Sequence, residues 1–283
     1  MAEFYLLYYM KYFFCLQLLI TTFFFMPAGA QEQDWDTYMA RFGDKPGSVL
    51  VDLGSINEAQ NKRYPCLVIT GPKAHKCNKQ GLPEKEEIDE LEQILDATDN
   101  FLTGVTPKVL AGTFTYNCER LNYYYVRDTM NVRNAIMRMY NRGYANYSYA
   151  LNMKYDPQWD TYRTFLYPSD ETLAWIENDK IITKMLQQGD DLTKQRDIKF
   201  EMYFRADSNR TACADFAVSK GYKVRKLTAS KSTNAPFELI VFRYAYVKIE
   251  DIYTMMEELK KEVKKDHGFF NGWEAPLEVK SQK

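Results

Sequence analysis

The sequence predicts an α+β protein with two domains, and three observations lead to this prediction. Segments of strand-like alternation and segments of helical period are mixed along the chain without a strict one-to-one order. Aromatic residues make up 15% of the chain, which favours sheets and interfaces over disorder. From residue 196 onward the predicted elements follow the order β-α-β-β-α-β, the arrangement of ferredoxin-like domains.

The first domain, 31–168, is predicted to place strands before, between and after two helices. Two strands flank the turn at 43–47, and a short apolar strand follows at 65–70. A helix is expected near 83–102, because its apolar residues recur on one face and its first turn is rich in glutamate. The later elements are a hairpin bending at 117–119, a helix that Gly143 would cap, and an extended stretch to residue 168, in that order.

The second domain, 169–283, opens with a helix that we expect Ser169 to cap and Gly189 to end. A strand at 196–206 and a helix ending at Gly221 follow. Two further strands, a long helix from Ile249 and a last strand at 269–277 complete the pattern. We therefore predict that the second domain is ferredoxin-like.

The tetrapeptide Trp-Asp-Thr-Tyr occurs twice, at 35–38 and 159–162, which raises the question of an internal duplication. The residues that follow the two copies share nothing at matching positions. A true repeat would keep its similarity over a whole supersecondary unit. We interpret both copies as strand segments with the same alternating pattern.

Residues 1–30 predict a cleavable signal peptide. The apolar run at 12–26 is shorter than the roughly 20 residues that span a bilayer, and Ala-Gly-Ala at 28–30 is typical of a cleavage site. A start at Met10 would place Lys11 directly before the run. The alternative is an uncleaved membrane anchor. We favour cleavage, and therefore expect a periplasmic or secreted protein without a membrane span after cleavage.

Composition and cysteine content limit the function classes. A net charge of −1 with interspersed signs argues against nucleic-acid binding, which needs a basic face. Four cysteines remain after the leader, and an even number permits disulfides in an oxidising compartment. Cys66 and Cys77 lie at the ends of one short loop, so we predict that they form the only disulfide. Buried thiols are then expected at Cys118 and Cys213.

A search for catalytic and metal-binding patterns gives no site. His75 and His267 are the only histidines, and neither has enough neighbouring ligand residues for a metal. The pair Asp190-Asp191 could act as paired carboxylates, but a helix-ending turn is the favoured interpretation. The tyrosines at 123–125 could stack on a ligand, although strand aromatics more often lie in the core. We predict no catalytic residue, cofactor or metal.

Two families resemble this chain. Residues 35–168 resemble the bacterial family called domain of unknown function 695, on the motifs WDTY, GSVLVDLG, YPCLVI, LAGTFTYNCERLNYYYV and DPQWDTYRTFLYPSDETLAWIEN. The remainder, from about residue 178, resembles the regulator of ribonuclease E activity B (RraB) family, on GDDLTKQRDIKFEMYFRA, FAVSKGYKV and HGFFNGWEAPL. In the last motif Asn271 stands where the family usually has aspartate. The resemblance implies a ferredoxin-like second domain and a protein-binding, regulatory role.

The sequence therefore predicts an exported, non-catalytic binding or regulatory protein with an unidentified protein partner. The alternatives are an envelope enzyme whose carboxylates meet only in the fold, and a cytosolic ribonuclease E regulator whose leader does not function. Trp273 is the candidate partner contact, because aromatic anchors dominate binding hot spots. The favoured role for Trp273 is nevertheless structural, with its ring closing the core of the second domain.

Overall fold

The computed structural model describes residues 33–59, 63–227 and 234–279. The predicted signal peptide at 1–30 lies outside these residues. The chain divides into two compact units, the first ending at Tyr167 and the second beginning at Pro168. In the part of the chain that the structure describes, no helix is both long enough and apolar enough to cross a membrane.

The first unit is built on one antiparallel sheet of six strands in the order β1-β2-β4-β5-β3-β6. Its strands are β1 Trp35–Phe42, β2 Lys45–Asp52, β3 Cys66–Pro72, β4 Lys108–Tyr116, β5 Glu119–Val126 and β6 Tyr149–Tyr155. Its helices are α1 Ser55–Glu58, α2 Lys85–Thr103 and α3 Val132–Gly143, and a π-helical turn spans Tyr162–Leu166.

This first sheet carries a hydrophobic core on each face. On one face, Tyr124 and Val126 pack with the apolar sides of α2 and α3. On the other, Tyr125 packs with Trp159 and the buried side chains of the π-helical turn. The two cores explain why the tyrosine run of β5 is buried on both sides of the strand.

The second copy of the tetrapeptide is not the strand that we expected. Trp159 has a left-handed backbone, with φ of 57°, and Tyr162 begins the π-helical turn. A polar network imposes this conformation, because the Asp156 carboxylate accepts the backbone N–H groups of Asp160 and Thr161, at 2.8 and 3.1 Å. Only the first copy, in β1, is a strand. Gly143 is likewise the last residue of α3 rather than its cap, which is Tyr144.

The second unit has a four-stranded antiparallel sheet in the order β10-β7-β9-β8. The strands are β7 Arg196–Phe204, β8 Lys223–Leu227, β9 Phe237–Ala245 and β10 Phe269–Glu274. The helices are α4 Asp170–Gln187, α5 Asp207–Ser219 and α6 Ile249–Lys265. After α4 the order is β-α-β-β-α-β, with the last strand beside the first, which is the predicted ferredoxin-like arrangement. The predicted α+β class is confirmed.

The ends of α4 follow the local signals in the sequence. The Ser169 hydroxyl accepts the backbone N–H of Thr172 at 3.2 Å, which is the predicted N-cap. Gly189 adopts φ of 84°, a conformation that glycine reaches without steric cost, and thereby ends the helix.

Candidate functional site

The sheet of the second unit carries its core on one face only. Along β7, alternate side chains are fully buried against the helices, namely Ile198, Phe200, Met202 and Phe204. The side chains between them point the other way and are half-buried. We call this second side the open face, and it consists of Lys199, Glu201, Tyr203, Arg225, Glu238, Ile240, Phe242, Tyr244, Phe269 and Glu274.

An ionic cluster occupies the centre of the open face. The Lys199 ammonium lies 2.9 Å from Glu274 Oε1 and 3.2 Å from Glu201 Oε2, so it joins two strands. The Tyr203 hydroxyl donates a short hydrogen bond to the same Glu201 carboxylate. Glu238 is paired with Tyr203 across the sheet, and its carboxyl group interacts with that of Glu201.

The pKa values of the two carboxyl groups move in opposite directions. The Tyr203 hydrogen bond and the Lys199 ammonium lower the pKa of Glu201. Burial and the neighbouring Glu201 charge raise the pKa of Glu238. Glu238 is therefore protonated before Glu201 as pH falls. The same contact with Glu201, together with burial, raises the pKa of Tyr203 to about 12.

Apolar side chains surround this cluster. Ile240 and Phe242 continue the face along β9, and Tyr244 beyond them is 61% exposed. On β10, Phe269 is 47% exposed, and the Arg205 guanidinium lies 5.4 Å from its ring centre. Exposed aromatic residues beside arginine are typical of protein-binding surfaces.

The cavity at the cluster is small. It measures about 120 Å³ and is lined by residues of β7 and β10, including Lys199 and Glu201. Small-molecule sites usually enclose about 300 Å³ or more. Within the described ranges there is also no group of three or more histidine, cysteine or acidic residues placed to hold a metal ion. The open face thus offers a surface for contact and does not enclose a substrate.

Trp273 does not belong to the open face. It is paired with Phe200 on the core side of the sheet, and its half-buried ring packs against the core of the second unit. Its indole N–H donates to Asn178 Oδ1 of α4 at 2.8 Å. This placement gives Trp273 a structural position that joins the last strand to α4, and a partner contact by Trp273 stays a prediction.

The predicted disulfide between Cys66 and Cys77 is wrong. Cys77 is bonded to Cys118, with their Cα atoms 5.9 Å apart, and Cys66 is a free thiol. The tip of the β4–β5 hairpin packs on the loop that carries Cys77, where the Cys118 backbone N–H donates to the Gly81 carbonyl at 2.7 Å. Cys66 begins β3, and this extended strand carries it away from the loop. Cys213 is a buried free thiol, as expected.

The aspartate pair has two structural roles. The Arg196 guanidinium contacts both carboxylate oxygens of Asp190 at 2.7 Å, and both side chains are buried. It also donates to the carbonyl groups of Asp191 and Pro276, which ties the start of β7 to the C-terminal segment. The Asp191 carboxylate accepts the backbone N–H of Thr193, which agrees with the helix-ending turn that we favoured.

The two histidines and the tyrosines at 123–125 were the other candidate site residues. His75 is exposed, with its ring 4.2 Å from that of Tyr147, and His267 ends α6 with φ of 52°. The tyrosines at 123–125 are all buried in the two cores of the first unit.

Glu201, Tyr203 and Glu238 were not predicted as site residues from the sequence. A signal was present for the first two, because polar and apolar residues alternate along β7 and this alternation places Glu201 and Tyr203 on one face.

Comparison with known proteins supports both resemblances. The model of the family described as "Family of unknown function (DUF695)" matches residues 33–167, and that described as "Regulator of ribonuclease activity B" (RraB) matches residues 175–275. The two predicted resemblances and their order are confirmed. No curated protein matches the chain.

Solved structures add little. A crystal structure described as that of an unknown protein from Galdieria sulphuraria aligns with 75% of this chain and 99% of its own, at 7% identity and a TM-score of 0.21. A TM-score this low carries no argument about fold or function.

Proposed function

Since the chain consists of a DUF695 region followed by an RraB region, we propose that it is an exported, non-catalytic module that regulates a partner protein by binding it. The open face of the second unit is the proposed contact surface. The observation that carries this proposal is a sheet with a hydrophobic core on one face only, on whose other face exposed Tyr244 and Phe269 flank an ionic cluster.

The chemistry of the open face suits a protein partner. Its centre combines the buried Ile240 and the half-buried Phe242 with hydrogen-bonding groups, and its margin carries exposed aromatic rings. Protein interfaces have this composition, with an apolar centre and polar groups that fix orientation. An enzyme would instead need a deep pocket around its carboxyl groups. Glu201 and Glu238 do converge, but they do so on an open surface.

Export is supported by two features. The leader has the apolar run and the cleavage pattern of a signal peptide. The Cys77–Cys118 disulfide joins residues 41 apart in sequence, and structural disulfides form mainly in oxidising compartments. Cell fractionation with N-terminal sequencing tests export directly. We expect the protein in the envelope or medium with Gln31 first, whereas a cytoplasmic protein with an intact leader would favour the ribonuclease-regulator alternative.

Partner binding is tested by capture on the immobilised protein from envelope extract. The variant Tyr244→Ser/Phe269→Ser removes the aromatic rings from the open face. The matched control is Val218→Ser, because Val218 is 59% exposed on α5. We expect a partner that the wild type and the control retain and that the open-face variant loses, with circular dichroism unchanged. Equal capture by all three proteins would reject the open face as the contact surface.

A further inference from the structure

A shallow groove lies on the first unit, where the π-helical turn leaves one corner of the sheet uncovered. We call it the corner groove. Its apolar surface is formed by Ile69, Tyr123 and Phe165, and its polar margin by Lys154, Asp160 and Thr164. The groove is open to solvent, and its volume is about 380 Å³.

An unusual backbone creates the polar margin. Trp159, directly before Asp160, holds a left-handed φ of 57°, a conformation that bulky side chains rarely adopt. Its ring stacks on Tyr125 at 3.7 Å and its indole N–H donates to the Tyr64 carbonyl at 3.0 Å, so the conformation is firmly held. The π-helical turn that follows is a form often found at functional sites. Together they place Asp160 and Thr164 beside strands β3 and β6.

The charges of the groove have no protein partner in the described residues. Lys154 and Asp160 are exposed, and neither makes an ion pair within 4.0 Å, with each other or with another described side chain. The Thr164 hydroxyl donates to the Asp160 backbone carbonyl at 2.7 Å, which leaves the carboxylate available. The groove therefore presents one ammonium and one carboxylate beside an apolar surface.

We propose that the corner groove binds a small zwitterionic amino compound with an apolar body, namely an apolar amino acid or a short peptide. The ligand carboxylate contacts the Lys154 ammonium, and the ligand ammonium contacts the Asp160 carboxylate. The apolar body covers Ile69 and the edge of Phe165. A ligand that carries both an ammonium and a carboxylate can contact both charged side chains of the groove, whereas a simple anion or cation can contact only one of them.

The first experiment measures binding to the purified protein with isoleucine methyl groups labelled for NMR. The probes are L-leucine, leucyl-leucine, N-acetyl-leucine without the ammonium, leucinamide without the carboxylate, and glycine without the apolar body. We expect L-leucine or leucyl-leucine to shift the Ile69 methyl signal. The other three probes should bind at least tenfold more weakly. The relative affinity of the first two distinguishes a free amino acid from a peptide.

The second experiment repeats the titration with Lys154→Met and Asp160→Asn. Each variant should weaken binding of the preferred probe at least tenfold. The matched controls Lys79→Met and Asp89→Asn, at exposed positions elsewhere in the unit, should leave it unchanged. The proposal is overturned if neither L-leucine nor leucyl-leucine shifts the Ile69 signal at millimolar concentration, if N-acetyl-leucine binds as tightly, or if the two groove variants bind like the controls.

Discussion

The sheets of the two units differ in how their faces are used. In the first unit each face carries a core, and β5 buries consecutive tyrosines, with Tyr124 in one core and Tyr125 in the other. In the second unit β7 buries every other side chain and leaves Lys199 and Glu201 on the open face. A strand buried on both sides loses its alternation, whereas a strand with one solvated side keeps it. Alternation along a strand therefore marks a face without a core, which is available for binding.

The two units also differ in how they stabilise a buried carboxylate. Asp156 in the first unit is held by neutral donors, among them the Tyr125 hydroxyl at 2.8 Å. Asp190 in the second unit is held by the Arg196 guanidinium. A carboxylate among neutral donors keeps its charge only while its hydrogen bonds persist, and an ion pair compensates the charge directly. The charge of Asp156 in the first unit therefore depends on the geometry of its hydrogen bonds more than the charge of Asp190 does in the second unit.

The largest effect is expected where the first unit is most closely packed. Trp159 is fully buried between Tyr125 and Tyr162. Replacing it with alanine removes a large aromatic side chain, which should lower the free energy of unfolding by about 3–5 kcal/mol. Urea unfolding followed by circular dichroism measures the change. A loss below about 1 kcal/mol would show that the side chains around Trp159 do not form a stabilising hydrophobic core on this face of the sheet.

Removing the disulfide should come next. The Cys77→Ser/Cys118→Ser variant lacks a crosslink that closes a loop of 41 residues, and the unfolded chain then gains entropy worth about 2–4 kcal/mol. The same unfolding measurement checks this value. The matched control is Cys66→Ser at the free thiol. Equal loss in variant and control would contradict a stabilising crosslink.

Trp273→Ala tests the face of the second unit's sheet that packs against the core. The ring is half-buried, so we expect a loss of about 2–3 kcal/mol, less than for Trp159. Trp273→Phe keeps a ring but removes the hydrogen bond to Asn178 and part of the packing of the indole, which should cost about 1–2 kcal/mol. If Trp273→Ala melts like the wild type, the residue is not structural and becomes the first candidate for a partner contact.

Acid unfolding tests the Asp156 network. Burial acts to raise the pKa of Asp156, but hydrogen bonds from Thr161 and Tyr125 outweigh it and the pKa is lowered. Its contribution to stability is therefore complete above the unfolded pKa of about 3.9 and is lost as pH falls through the lower folded pKa. Asp156→Asn should cost about 1–2 kcal/mol at pH 7 and remove this component of acid sensitivity. Urea unfolding at pH 7, 4 and 3 measures both, and unchanged acid sensitivity in the variant would contradict the assignment.

The smallest effect on stability is expected on the open face. Tyr203→Phe removes the hydroxyl that donates to Glu201, on a surface where substitutions usually change stability by less than about 0.5 kcal/mol. The pKa of Glu201 should rise, because this hydrogen bond is the main reason that it is lowered. Carboxyl carbon NMR checks the pKa, and thermal unfolding checks stability. A large loss of stability would mean that the ionic cluster serves the fold rather than binding.

The type and order of most elements, the N-cap at Ser169, the ferredoxin-like pattern and the two family resemblances could be predicted from the sequence. Each of these follows from local periodicity, local capping or short motifs. The pairing of Cys77 with Cys118, the left-handed backbone of Trp159 and the interaction of Glu201 with Glu238 became evident only from the folded chain. These contacts join residues that are distant in sequence or depend on a buried network. They are fixed by which strands lie side by side, and an order such as β1-β2-β4-β5-β3-β6 is not encoded in the pattern of any single strand.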